Sequence, residues 1–313
     1  MLSRVVQIKL PPDVKGKTLL EYLSGRFTYH TRAEWEEVLA EGRVTLDGVT
    51  AHADSSMSWN QILEYNPRPR PEPEVNCNVQ LLYQDERYIV LDKPPNLPCH
   101  PAGGFFYHTL WAILKEGGVP GLEPQETIHF VSRLDRETSG IVLLAKTSRA
   151  HTHAMKLLPS PQTVKTYWVV VEGAFPDFLQ ADGWLFHDPE AEVDKRRSFA
   201  FARPPQDIPA ETASTTLRCL RRERGLSLVE ATLGTGRFHQ IRATMHSLGF
   251  PVLGDKIYGR DETIYIRFAK QCLTPQDLAA LQIPRQALHA VSLIFEGHAF
   301  HAPPPNDWPL LPS

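Results

Sequence analysis

Between Ile128 and Thr147 the chain reads I-H-F-V-S-R-L-D-R-E-T-S-G-I-V-L-L-A-K-T, and this stretch constrains the fold most. The near-continuous apolar run Ile141 to Ala145 has the character of a buried strand. Four charged side chains, Arg133, Asp135, Arg136 and Glu137, stand between it and an apolar run ending at Val131. Charge beside a buried sheet has two explanations. As a solvated turn, the segment uses the turn residues from Glu137 to Gly140, and Arg133 pairs with Asp135 along an extended backbone. As a site, it holds a carboxylate among arginines, which keep it ionised at neutral pH and aim it at a substrate.

With 313 residues, 42% hydrophobic and 22% charged, the chain has material for one large domain and a small one. Cys77, Cys99, Cys219 and Cys272 lie far apart without C-x-x-C spacing, so free thiols in a reducing compartment are expected. Met1 to Lys9 lacks the apolar core of a signal peptide, and no apolar run is long enough to cross a bilayer. A cytoplasmic monomer is the expectation. The net charge of −3 argues against a strongly basic nucleic-acid binder. Two local clusters, Lys195 to Arg197 and Arg218, Arg221, Arg222 and Arg224, are either phosphate-binding patches or solvated faces.

Leu19, Leu20 and Leu23 recur at helical spacing within Lys17 to Arg26. Thr31 and Glu34 form a capping box for a second helix carrying Trp35, Val38 and Leu39, which Gly42 closes. Val44 to Leu46 then runs into Asp47-Gly48, a hairpin signal. Two helices followed by G-R-V-T-L-D-G are similar to the small α-L RNA-binding domain of ribosomal proteins, although the second helix carries Glu34, Glu36, Glu37 and Glu41. An adaptor that touches no RNA fits the same residues. Asn66 to Glu74 alternates proline with charge and reads as a semi-rigid extended linker. The expected division is residues 1–66, a linker at 67–75, and a large domain at 76–313.

In the large domain, Tyr88 to Leu91 predicts a strand leading into Asp92-Lys93-Pro94-Pro95 and a loop containing His100. His108 to Leu114 predicts a short helix with Leu110, Trp111 and Leu114 inward. A helix follows over Ser148 to Leu158. Val164 to Val171 is a β-branched and aromatic strand with Lys165, Tyr167 and Val169 on one face. Trp184 to Pro209 shows no period and reads as loop. Ala210 to Leu217 and Leu226 to Leu233 predict strands joined by a basic connection, Arg218 to Gly225. In a helix opening at Gly236, Phe238, Ile241, Met245 and Leu248 form the core stripe, while His239, Arg242 and His246 share another face, with Arg242 aimed away from the core. Leu288 to Phe295 is a last strand, and a proline-rich tail runs from Pro303 to Pro312. The pairs His151 and His153, and His298 and His301, lack further partners at metal-ligand spacing, so no metal site is expected. Gly234 and Gly236 lack the third glycine and βαβ context of a dinucleotide site.

Ser132-Arg133-Leu134-Asp135-Arg136-Glu137-Thr138-Ser139-Gly140 resembles the catalytic loop H-R-L-D-x-x-T-S-G of the RluA-type pseudouridine synthases, with serine at the usual histidine position. Gly236-Arg237-Phe238-His239-Gln240-Ile241-Arg242 resembles that family's G-R-x-H-Q-I-R segment, with Phe238 where threonine is common. Lys165-Thr166-Tyr167 fits its K-x-Y motif, Lys93 to Pro101 is similar to its K-P-x-G-x-x-V-H-P segment, and Leu288-His289-Ala290 to its closing L-H-A. The resemblance covers residues 76 to 300. It implies an α+β domain on a mixed, mainly antiparallel sheet with flanking helices, preceded by the small α-L-like RNA-binding domain.

It also implies an RNA pseudouridine synthase acting on structured RNA, ribosomal or transfer. Asp135 would be catalytic, Arg242 would pair with and orient it, and Tyr167 would wall the base pocket. Arg133, Lys93, His100, Arg237, His239 and Leu288 would lie against the substrate. From the residues alone, Lys93 and His100 read as loop polar groups. The isomerisation is redox-neutral and uses no group donor, so no cofactor or metal is expected. The competing class is a non-catalytic RNA-binding or ribosome-assembly factor with the same fold. A carboxylate-based glycosidase lacks the second well-placed carboxylate.

Overall fold

The computed structural model describes residues 5–27, 30–68 and 71–311. Of the sequence expectations, Met1 to Arg4, Pro69 and Arg70 of the linker, and Pro312 of the tail lie outside the described residues. The chain divides between Glu72 and Pro73 into two compact units.

The first unit contains β1 (Val6–Lys9), α1 (Leu19–Arg26), α2 (Arg32–Ala40), β2 (Val44–Leu46), β3 (Val49–Thr50) and β4 (Ile62–Tyr65). Both helices begin at a reciprocal capping box, Thr18 with Glu21 and Thr31 with Glu34, which satisfies amides the first turn leaves unpaired. Asp47 and Gly48 carry φ of 49° and 80°, so the β2–β3 hairpin turns through the left-handed backbone that an Asp-Gly pair tolerates. The strands run antiparallel in the order β1-β4-β2-β3, and Trp35, Leu19, Leu23, Val44 and Leu63 fill the core. The acidic character of α2 is partly neutralised within the unit, because Arg68 bonds both Glu37 and Glu41.

The second unit begins with β5 (Gln80–Gln84) and β6 (Tyr88–Lys93), then α3 (Leu110–Lys115), β7 (His129–Phe130), β8 (Ser139–Ala145), α4 (Ser148–Leu157) and β9 (Val164–Glu172). It continues with β10 (Phe178–His187), β11 (Arg197–Ala200), β12 (Ala210–Glu223), β13 (Leu226–Leu233), α5 (Gln240–Ser247), α6 (Thr263–Ala269), α7 (Pro275–Leu281), β14 (Leu288–Phe295) and β15 (His298–His301). Among the described residues these strands form one sheet, ordered β11-β10-β12-β13-β9-β14-β8-β6-β5, with β7 beside β8 and β15 beside β14. The pairing of β8 with β14 is parallel, and the other ladders are antiparallel. The fold is therefore α+β on a mixed, mainly antiparallel sheet. Among the described residues no helix is long and apolar enough to cross a membrane.

Every residue of β8 is buried. At about 1.5–3 kcal/mol for each large aliphatic side chain withdrawn from water, Ile141 to Leu144 anchor this strand at the sheet's interior. Gly140 is required by that position. Its φ is +104°, and a Cβ there would stand 2.3 Å from the Ala290 carbonyl oxygen of β14. The loop carrying Asp135 is thus fixed against the start of β14.

Several expectations need correction. Trp184 to Pro209 is not all loop: β10 continues through His187 and β11 occupies Arg197 to Ala200. Arg218 to Gly225 is not a connection. Strand β12 runs on to Glu223 past a bulge between Cys219 and Arg221, and only Arg224 and Gly225, with φ of 52° and 75°, make the turn. The third helix begins at Leu110, where the Thr109 side chain accepts from the Ala112 amide. Helix α5 begins at Gln240 rather than Gly236, because His239 adopts φ 56° and ends the regular period there.

Candidate active site

Asp135 lies in the turn between β7 and β8, and this turn is tied down from several sides. Lys93, fully buried, donates to the carbonyl oxygens of Pro94 (2.8 Å), Leu97 (3.0 Å) and Arg136 (3.3 Å). An ammonium has three hydrogens to donate, and all three are spent here. Burial draws its pKa down to about 8. Lys93 therefore braces the turn and does not line a groove. Ser132 Oγ accepts from the Leu143 amide at 2.9 Å, and Gln286 donates to Thr138 Oγ1 at 2.5 Å. Ser139 Oγ meets His289 Nδ1 at 2.9 Å, while the other ring nitrogen faces the Ala302 carbonyl, at 3.3 Å.

Within this braced turn, Asp135 Oδ2 accepts from Arg242 Nη1 at 2.6 Å. The rest of the guanidinium is held by Asp255, which accepts from Nε at 2.6 Å and Nη2 at 2.8 Å in the two-pronged geometry that suits arginine. Asp255 is itself fixed by the amides of Ile257 (2.9 Å) and Tyr258 (3.0 Å), and the Tyr258 ring centre lies 5.0 Å from Arg242 Cζ. The side chains of Arg242 and Asp255 are 6% and 0% exposed, whereas that of Asp135 is 28% exposed. One buried cation thus joins two carboxylates, and Asp135 is the one that solvent reaches.

Burial alone would raise the Asp135 carboxyl. The Arg242 guanidinium outweighs it and holds the group below the ordinary carboxylate value, so Asp135 is ionised at neutral pH. Asp255, buried yet bound to Arg242 and two amides, is held down at about 2. His239 Nδ1 is 2.9 Å from the Tyr258 hydroxyl and its Nε2 3.7 Å from Asp135 Oδ1. Burial and then the Arg242 charge pull its pKa down to about 4, so the ring beside Asp135 is neutral.

Tyr167 sits on β9 opposite Ala290 of β14 and Ala231 of β13. Its hydroxyl is pushed up to about 12, by burial and then by the charge of Asp135, which marks its nearness to that carboxylate. With Ser132, Lys165 and Ser292 it lines a hollow of about 20 Å³, room for about one water, so a base entering there displaces part of the lining.

The structure thus gathers Asp135, Arg242, His239 and Tyr167 and disperses the others. Arg133 is exposed and, among the described residues, unpaired; the partner of Asp135 is Arg242 instead. His100 is half-buried against Phe130, ring centres 4.1 Å apart. Arg237 pairs with Glu211 at 3.0 Å, and Leu288 is buried in the core. Arg242 does not point away from the core, and Phe238 is no part of the core stripe but 49% exposed. Phe238 falls before the later start of α5, and Arg242 is buried because the helix is enclosed on every side from Gln240 to Met245, with Asp255 to receive the guanidinium.

Asp255, Lys256 and Tyr258 were not singled out from sequence. Lys256 binds Glu137 at 2.6 Å and the Pro284 carbonyl at 2.7 Å. Their signal was available: Asp255 and Lys256 are charges set between Val252-Leu253 and Ile257-Tyr258, the same pattern that marks Asp135. The basic clusters are mostly satisfied internally, Arg218 by Glu230, Arg221 by Glu223, Arg222 by Asp177 and Arg196 by Glu262. Among the described residues no group of three or more His, Cys, Asp or Glu side chains could hold a metal ion.

The sequence profile of RNA pseudouridylate synthases matches residues 87–247. The ribosomal large subunit pseudouridine synthase D of Pseudomonas aeruginosa is 29% identical over 295 residues, 93% of this chain and 87% of the relative. An uncharacterised RNA pseudouridine synthase of Synechocystis is 30% identical over 242 residues, 77% of this chain and 79% of its own. Among solved structures, human RNA pseudouridylate synthase domain containing 4 superposes with a TM-score of 0.55 at 26% identity, covering 72% of this chain and 89% of that one. With the profile spanning the segment that carries Asp135, Tyr167 and Arg242, the chain belongs to the RNA pseudouridylate synthase family, isomerases that convert uridine to pseudouridine in RNA.

Proposed function

We propose that Asp135 is the catalytic carboxylate of this synthase, that Arg242 keeps it ionised and aimed, and that Tyr167 walls the site of the flipped base. The observation that carries this is the division of Arg242 between a sealed carboxylate, Asp255, and a partly open one, Asp135. The isomerisation breaks the bond from ribose C1′ to uracil N1 and forms one from C1′ to C5; C5 loses a hydrogen and N1 gains one. No electrons enter or leave. An ionised, partly desolvated carboxylate can serve as nucleophile or base for such a step, and the neutral His239 beside it leaves its charge intact.

The substrate is a uridine in structured RNA, with large-subunit ribosomal RNA favoured over transfer RNA by the name of the Pseudomonas relative. We place this reaction in the cytoplasm, carried out by a monomer. Pseudouridine mapping across total RNA from cells with and without the gene tests the assignment: a uridine modified only when the gene is present supports it, and unchanged maps overturn it.

Because the reaction is redox-neutral and a carboxylate suffices, turnover is expected to persist in excess chelator. Loss of activity restored by zinc or magnesium, with the RNA fold unaffected, would count against this.

The N-terminal domain, residues 1–66, we assign to RNA binding and site choice, with residues 67–75 as the linker. Removing residues 1–72 is expected to weaken RNA binding while leaving the single-turnover rate at saturating RNA unchanged. A folded truncation whose maximal rate collapses sinks that assignment.

A further inference from the structure

Phe238 leads from the Asp135 site to a second, open hollow. Its ring stacks on the imidazole of His239, centres 3.7 Å apart, and His239 in turn stands 3.7 Å from Asp135. Phe238 also lines a cavity of about 350 Å³ together with Arg197, Arg203, Gln206, Ile208 and Glu211. That volume lies in the range of small-ligand sites.

Arg197 Cζ is 5.9 Å from the Phe238 ring centre, and Arg203 Cζ is 4.9 Å from that of Trp184. Among the described residues neither guanidinium enters an ion pair, whereas Arg196, Arg218, Arg221, Arg222 and Arg237 all have carboxylate partners. Glu211, the one carboxylate at the cavity among the described residues, is paired with Arg237 at 3.0 Å and so repels an incoming phosphate less. The Arg197 amide donates to the Tyr258 hydroxyl at 3.0 Å, and the same hydroxyl meets His239 at 2.9 Å, which ties the cavity wall to the Asp135 site.

A half-exposed aromatic ring beside two unspent guanidiniums has the chemistry that binds single-stranded RNA, with a base on the ring and phosphate on the cations. We propose that this cavity is a subsite for a nucleotide flanking the target uridine, its base stacked on Phe238 and its phosphate held by Arg197 and Arg203. The identification of the bound strand as substrate rests on the reading of Asp135 as the catalytic carboxylate; the binding itself does not.

The test uses the full chain and a short fluorescent single-stranded RNA containing one uridine, with affinity read by anisotropy over a range of salt. Phe238→Ala is expected to weaken binding about tenfold, the loss of one stacked base. Arg197→Gln combined with Arg203→Gln should weaken it too, and should flatten the slope of log affinity against log salt by about 0.7, as one lost phosphate contact does on a single strand. Arg218→Gln combined with Arg222→Gln, on the far-spent cluster, should change neither affinity nor slope. With cellular RNA, the Phe238 variant should need more RNA for half-saturation of pseudouridine formation. Wild-type affinity and slope in both the Phe238 and the Arg197/Arg203 variants overturn the subsite, as does failure of the unaltered chain to bind the RNA. Binding that depends on Phe238 in a chain that forms no pseudouridine supports the subsite and overturns the catalytic assignment instead.

Discussion

Asp135→Asn is expected to abolish pseudouridine formation, lowering the single-turnover rate by about a thousandfold or more, while the protein stays folded and binds RNA. Asparagine is nearly isosteric, and the braces on the turn, Lys93, Ser132 and Gln286, do not involve the Asp135 side chain. Neither a nucleophile nor a base remains there, and Glu137 is engaged by Lys256 at 2.6 Å. The cost in stability should be small, about 1 kcal/mol, because Arg242 keeps its two hydrogen bonds to Asp255 and asparagine can still accept one. Circular dichroism and RNA binding serve as controls. A folded variant with near-normal turnover removes Asp135 from the mechanism.

Much of this architecture is legible in the chain because local chemistry decides it. The capping box of α2, the Asp-Gly turn between β2 and β3, and the bounds of β14 depend on neighbouring residues, and they stand where the pattern places them. What escapes is decided at long range. Strand β10 has no clean alternation; its backbone is recruited by β12 on one side and β11 on the other, and Gly183 lets Ala200 approach so closely that a Cβ would meet its carbonyl oxygen at 2.3 Å. The arginines of β12 suggested a turn because charge is uncommon in strands, yet cross-strand partners such as Glu230 accommodate it. The site divides in the same way. Asp135 is conspicuous as charge beside a buried strand, whereas the burial of Arg242 depends on Asp255, thirteen residues along and beyond the helix. Helical spacing places Arg242 on a face; it does not say that a carboxylate waits inside that face.

Arg242→Ala should be severely impaired in rate and should cost far more stability than Asp135→Asn. It leaves Asp255, whose side chain is 0% exposed, without a counter-charge and facing a second carboxylate. Breaking a buried pair from one side costs about 3–5 kcal/mol, or a melting temperature lower by roughly 10 °C in a unit of this size. The pH dependence has a definite sign. In the wild type Asp255 titrates at about 2, below its unfolded value, so its contribution to stability is present above about pH 4 and fades as pH falls through about 2. Without Arg242, burial raises the Asp255 pKa above the unfolded value, and the variant is then favoured at low pH and loses stability as pH rises through that new pKa. The gap between the two proteins should therefore widen from pH 4 to pH 7. Arg242→Lys should recover only part of it, since one ammonium cannot reproduce the three directed bonds that hold Asp255 and Asp135 at once. Thermal unfolding of all three proteins at both pH values decides the matter: equal melting temperatures for wild type and Arg242→Ala at pH 7 would mean that the charge triad does not hold the fold together.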